Sequence, residues 1–156
     1  MITTDNSFAG AAGKLRVQAM RNGEVVRDTG WQKNKVVNAA DVGVQLLVKQ
    51  MAGETALPIA IDTLSIGTGT AARTTSMTDL QTPVTTGIPF TKREAVGNEW
   101  AGDFFILDSE LPDGTYNELG IFMSSRLYAT VLIDGGFSKV SGEDLLVTYK
   151  TTLTPT

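Results

Sequence analysis

At 156 residues, with 42% hydrophobic and 19% charged content, the chain has the size and composition of one globular domain with a real core. It contains neither Cys nor His, which excludes disulfides, thiolate nucleophiles, a Ser-His-Asp relay and the usual zinc ligand sets. A net charge of −4 without a basic run speaks against nucleic-acid binding, which needs clustered Lys and Arg.

Residues 1–13 are small, polar and glycine-containing (Ser7, Ala9, Gly10, Ala11, Ala12, Gly13) and read as an arm, either a frayed terminus or one that embraces a neighbour. They lack the basic and apolar regions of a secretory leader. No apolar stretch approaches the ~20 residues of a membrane helix, so no membrane partner is expected. Residues 14–156 read as a single domain. Leu15, Val17 and Ala19 alternate with Lys14, Arg16 and Gln18, and Asn22-Gly23 supplies the two positive-φ residues of a type I′ turn. The returning strand is expected over about 24–31.

One helix follows. Asn38 is placed to cap it and Asp41 adds negative charge at its positive end. Ala40, Gly43, Val44, Leu47, Val48 and Met51 have the spacing of a buried face, widened by Val42 and Leu46. Gly53 sits where a C-terminal glycine is expected.

From Ile59 onward the pattern is β. Leu64 and Ile66 alternate with Thr63 and Ser65 until Gly67-Thr68-Gly69-Thr70 breaks the strand. Residues 71–86 read as a polar loop, longer than the ~12 residues usual in compact domains, and suited to ordering on a partner. Further strands are predicted at 90–96, 100–107, 115–122 and 126–133, punctuated by Asn98, Pro112-Asp113-Gly114, Ser124-Ser125 and Asp134-Gly135-Gly136. The last strand places Leu145, Val147, Tyr149, Thr151 and Leu153 on one face. The expectation is a mainly β protein: an antiparallel β-sandwich or partly open barrel with one α-helix packed on it.

Candidate chemistry is sparse. Gly67-Thr68-Gly69-Thr70 invites a phosphate-loop reading, but no Lys opens a following helix, so a glycine turn at a strand end is the better account. Asp103, Asp108, Glu110, Asp113 and Glu118 raise calcium binding or paired-carboxylate hydrolysis, yet their spacing only partly fits a calcium loop. No catalytic residue, cofactor or metal site is assigned. Glu118, between Tyr116 and Gly120 in an apolar strand, is expected to be paired, with Lys92, Arg93 and Arg126 as candidate partners. Trp31, Trp100, Tyr116, Tyr128 and Tyr149 could form a glycan-stacking surface, but aromatics in β proteins mostly fill cores.

Several landmarks occur in a recognisable order. Lys33-Asn34-Lys35-Val36-Val37-Asn38 precedes Leu46-Leu47-Val48-Lys49-Gln50-Met51-Ala52-Gly53. Next come Ile61-Asp62-Thr63-Leu64-Ser65-Ile66-Gly67-Thr68-Gly69-Thr70-Ala71 and Thr78-Asp79-Leu80-Gln81. Tyr116-Asn117-Glu118-Leu119-Gly120-Ile121-Phe122, Phe137-Ser138-Lys139 and Asp144-Leu145-Leu146-Val147-Thr148-Tyr149 close the series. Over roughly 30–150 this order resembles small accessory structural proteins of the head and tail of tailed bacteriophages. Glu118-Leu119-Gly120-Ile121-Phe122 is also similar to the fibre-attachment domains of tail-collar proteins.

The resemblance implies a non-enzymatic virion subunit, made in the host cytoplasm, contacting other virion proteins and forming a trimer or ring. It points to a tail, neck or fibre-attachment position; capsid decoration and a host-glycan-binding module are the alternatives. Expected partner contacts are Phe8, Ala9, Gly10, Ala11 and Ala12 of the arm and Thr68, Thr70, Arg73, Thr74, Thr75, Met77 and Leu80 of the loop. Glu118 and Gly120 are expected to be structural.

Overall fold

The computed structural model describes residues 11–55 and 60–154. Among these the strands are β1 (Ala11–Arg21), β2 (Glu24–Asp28), β3 (Gln32–Lys33), β4 (Lys35–Val36), β5 (Asn38–Ala39), β6 (Ile61–Gly67), β7 (Pro83–Pro89), β8 (Lys92–Val96), β9 (Glu99–Ile106), β10 (Gly114–Met123), β11 (Arg126–Lys139) and β12 (Asp144–Leu153). Helix α1 (Gly43–Met51) and a 3-10 turn at Asp108–Glu110 complete them.

The strands form two antiparallel sheets. The first has the order β2-β1-β12-β9-β8, with β3 also pairing β1; the second has the order β4-β11-β10-β6-β7. Alternation decides which side chains meet between them. Leu15, Val17, Phe104, Ile106, Val147 and Tyr149 from the first sheet share one cluster with Leu64, Ile66, Leu119, Ile121 and Val131 from the second. Each such side chain, once fully buried, contributes about 1.5–3 kcal/mol. The architecture is a β-sandwich rather than a barrel, because the sheets remain separate.

The predicted hairpin forms: Asn22 and Gly23 have φ of 52° and 78°, and Leu15, Val17 and Ala19 face the core. Its returning strand is shorter than expected, ending at Asp28, whose carboxylate accepts the Gly30 N–H at 2.7 Å and turns the chain. The expected arm is shortened too. Ala11, Ala12 and Gly13 already pair with Leu153, Thr152 and Thr151, while Phe8, Ala9 and Gly10 lie outside the described residues. Ile59 is likewise outside them.

The helix departs most from expectation. Asn38 sits in β5 and bridges Gly43, so it caps nothing; α1 begins only after Val42. Gly43 has φ +53°, and a Cβ there would overlap the Val37 carbonyl oxygen, so the chain turns at this point and cannot continue a helix from Ala40. The buried face shifts accordingly to Val44 and Leu46, leaving Val48 57% and Met51 85% exposed. Asp41 pairs with Lys49 across the helix's flank. The C-terminal glycine is as predicted. Gly53 has φ 70°, its N–H donates to the Gln50 carbonyl at 3.1 Å, and the Glu54 N–H donates to Lys49 at 2.9 Å, a Schellman ending.

Two turns read from composition lie inside strands. Asp134-Gly135-Gly136 continues β11, its glycines at φ 75° and 76° absorbing a bulge opposite Tyr116 and Glu118. The polar loop ends at Thr82, since Pro83–Pro89 forms edge strand β7, whose prolines and Gly87 (φ 69°) suit an edge. At the end of β12, Leu153 turns out 51% exposed, beyond the reach of the core.

Candidate functional site

Leu119, Ile121 and Met123 of β10 point between the sheets, so Glu118, Gly120 and Phe122 point to the opposite face of the second sheet. Residues 68–82 cross that face as an Ω-loop, its ends joined by the Thr68 N–H donating to the Thr82 carbonyl at 3.0 Å. This strap is held mainly by one side chain. Glu118, fully buried, accepts at Oε1 the N–H groups of Gly69 (3.1 Å) and Thr82 (2.6 Å). Its Oε2 accepts the Gln81 N–H at 2.9 Å and Arg73 Nη1 at 2.7 Å.

Burial alone would push the Glu118 carboxyl up; the Thr82 and Gln81 amides, the Arg73 guanidinium and the Gly69 amide outweigh it and hold the group below its ordinary value. The partner is therefore Arg73, and Lys92, Arg93 and Arg126 are not used. Arg73 is itself tied down, donating to the Ala71 carbonyl through Nε at 3.0 Å and Nη2 at 2.6 Å and to Thr130 Oγ1 at 3.3 Å.

The glycines let the strap come this close. A Cβ on Gly67 would overlap the Thr82 carbonyl oxygen, and one on Gly69 would lie 2.6 Å from both Glu118 Oε1 and Gln81 Cβ. The Gly67-Thr68-Gly69 turn thus approaches an anion, but the anion is the chain's own carboxylate. Gly120 does the same on the sheet side: a Cβ there would lie 2.8 Å from Phe122, 3.0 Å from Leu80 and 3.1 Å from Leu127. Beneath the strap, Val37, Val42, Phe122 and Leu127 make a second, small core on which Met77 packs.

The predicted contact residues of the strap accordingly divide. Thr68, Thr70, Thr74 and Thr75 are exposed, with Thr74 and Ser76 hydroxyls 3.1 Å apart. Arg73 and Leu80 are turned inward, side-chain exposure being 5% for Arg73, and cannot serve as first contacts; Met77 is half-buried. The reason is electrostatic and steric: Glu118 needs a countercharge, and Leu80 fills the space that Gly120 leaves. In this conformation the loop is tied to its own sheet through Glu118. The Gln81 and Thr82 amides were not singled out from sequence, since backbone donors carry no residue signature.

The remaining acids are engaged elsewhere. Lys139, nearly fully buried, pairs with Asp108 and with Asp113 at 2.9 Å. Glu110 accepts the Leu107 N–H at 2.8 Å, and Asp103 accepts the Thr148 hydroxyl at 3.0 Å. Among the described residues no three acids come together as a metal site, and no helix is long and apolar enough to cross a membrane. Of the aromatics, Tyr116, Tyr128 and Tyr149 lie in the core and Trp100 packs tilted against Tyr149 with ring centres 6.0 Å apart, but Trp31 is 40% exposed.

No protein-family model matches the sequence, and neither a curated protein nor a solved structure does.

Proposed function

We propose that the chain is a non-enzymatic structural subunit of a tailed-phage virion, at the tail, neck or fibre-attachment position. The observation that carries this reading is the convergence of the resemblance's landmarks. Gly67 and Gly69, then Leu80 and Gln81, then Glu118 and Gly120 belong to separate stretches of sequence, yet they meet in one clamp. They are thus a single structural device, which makes their shared order more specific than three weak motifs. The device presents a hydroxyl-rich strap (Thr68, Thr70, Thr74, Thr75) clamped to its own sheet through Glu118, an anchorage that would lower the entropy lost when it meets a neighbour. Repeated around a ring, modest contacts of this kind become collectively strong.

The test is complementation of a phage lacking this gene with a Thr70→Glu/Thr74→Glu/Thr75→Glu variant. Loss of the variant from purified particles, with an unchanged thermal midpoint in solution, supports the strap as the assembly contact. Normal incorporation overturns it.

A further inference from the structure

The outer face of the first sheet carries an arrangement that folding does not require. Lys33, Lys14 and Lys150 stand directly opposite one another on β3, β1 and β12. All three point away from the core, because their neighbours Leu15 and Tyr149 are buried in it. Adjacent strands are ~4.8 Å apart, and like charges directly opposite destabilise a sheet. Arg16 lies one outward position along β1. Four of the chain's thirteen cations thus gather on one face of a protein whose net charge is −4.

Trp31 sits among them, 40% exposed, with Lys14 Nζ 4.7 Å, Lys150 Nζ 5.5 Å and the Arg16 guanidinium carbon 6.0 Å from the ring. The ring attracts the ammonium groups but neutralises none of them. Asp28 engages Arg16 through hydrogen bonds of 2.9 and 3.0 Å and Glu99 pairs with Lys150 at 3.9 Å, but among the described residues no acid pairs with Lys14 or Lys33. The cation row is therefore undercompensated.

The surroundings select among anions. The same face presents Glu99, Asp103, Asp28, Thr148 and Thr152, the acids lying beside the lysine row. A polymer charged at every unit, such as single-stranded nucleic acid or polyglutamate, would meet repulsion from them. A sugar chain with a carboxylate on some positions and hydroxyls on the rest would not: its hydroxyls donate to these acids, its carboxylates meet the lysines, and its C–H faces meet Trp31. We infer that this face binds a carboxylate-bearing polysaccharide through Trp31, Lys14, Lys33 and Lys150. The inference does not depend on the virion reading.

The test is calorimetric titration of the full 156-residue chain with partly methyl-esterified polygalacturonate, against dextran, polyglutamate and oligothymidylate. The expected result is binding of the uronate polymer in preference to all three, weakened about tenfold by Trp31→Ala and largely restored by Trp31→Tyr. Lys33→Gln should also weaken binding while its thermal midpoint stays level or rises, since it relieves repulsion with Lys14. Failure to bind the uronate overturns the proposal. So does equal or tighter binding of polyglutamate or oligothymidylate, or a correctly folded Trp31→Ala variant that binds as well as the wild type.

Discussion

Glu118→Gln removes the charge from the clamp while keeping its shape. If the amide oxygen takes the place of Oε1, the Gly69 and Thr82 bonds survive and the NH2 group faces two donors, Arg73 Nη1 and the Gln81 N–H. A charge-assisted bond is lost, worth about 1.5–3 kcal/mol, and a buried amide is left unsatisfied at about 1–3 kcal/mol. The buried guanidinium also loses its countercharge, a change that typically costs about 3–5 kcal/mol in all. The strap can open and admit water, so its own detachment free energy sets the ceiling. We therefore expect a loss of about 3–5 kcal/mol, or a midpoint lower by about 6–20 °C for a chain of this size. Urea unfolding measures the loss, and amide hydrogen exchange locates it. The Gly69, Gln81 and Thr82 amides should exchange faster while those between β1 and β12 keep their protection. A variant within about 0.5 kcal/mol of the wild type with those three amides unchanged would refute the clamp.

Three further outcomes are expected. Because the folded Glu118 carboxyl lies below its ordinary value, its stabilisation is complete above the unfolded carboxylate pKa of about 4.3 and disappears as pH falls through the folded value. Asp28, Asp108 and Glu143 shift in the same direction, so stability measured by urea titration should decline below about pH 4, less steeply in Glu118→Gln. Gly120→Ala should cost about 1–3 kcal/mol by crowding Phe122, Leu80 and Leu127, and Gly43→Ala more, because it adds a positive-φ penalty to a clash with backbone; thermal unfolding of the pair checks the order. Met51→Lys should change stability by no more than about 0.5 kcal/mol, the side chain being 85% exposed, whereas a buried helix face running through Met51 would make it costly in the same assay.

What could be read from sequence was local. Asn22-Gly23 and the alternation of β12 each specify their element through neighbouring residues; the turn is found as predicted, and the alternation holds from Leu145 to Thr151. The helix face was misjudged because Val42, read as widening it, serves the small core beneath the strap together with Val37. The left-handed turn at Gly43 that separates them from α1 has no sequence marker beyond the glycine itself. Asp134-Gly135-Gly136 carries turn chemistry, but β10 pairs on both sides of it and extends the strand through a bulge. Glu118 was legible as a charge needing a partner. Which partner was not, since Arg73 lies 45 positions away and reaches it only along the path of the strap. The pair Gly67/Gly69 and the single Gly120 were the available trace of that path, marking where strap and sheet come close.

The proposal that this sandwich is a virion subunit can be decided by immunogold electron microscopy of purified particles of the phage proposed to carry it. Label at the tail, neck or fibre-attachment site is the expected result. Label spread over the head would instead make the chain a capsid decoration protein, and particles carrying no label would contradict the virion assignment altogether.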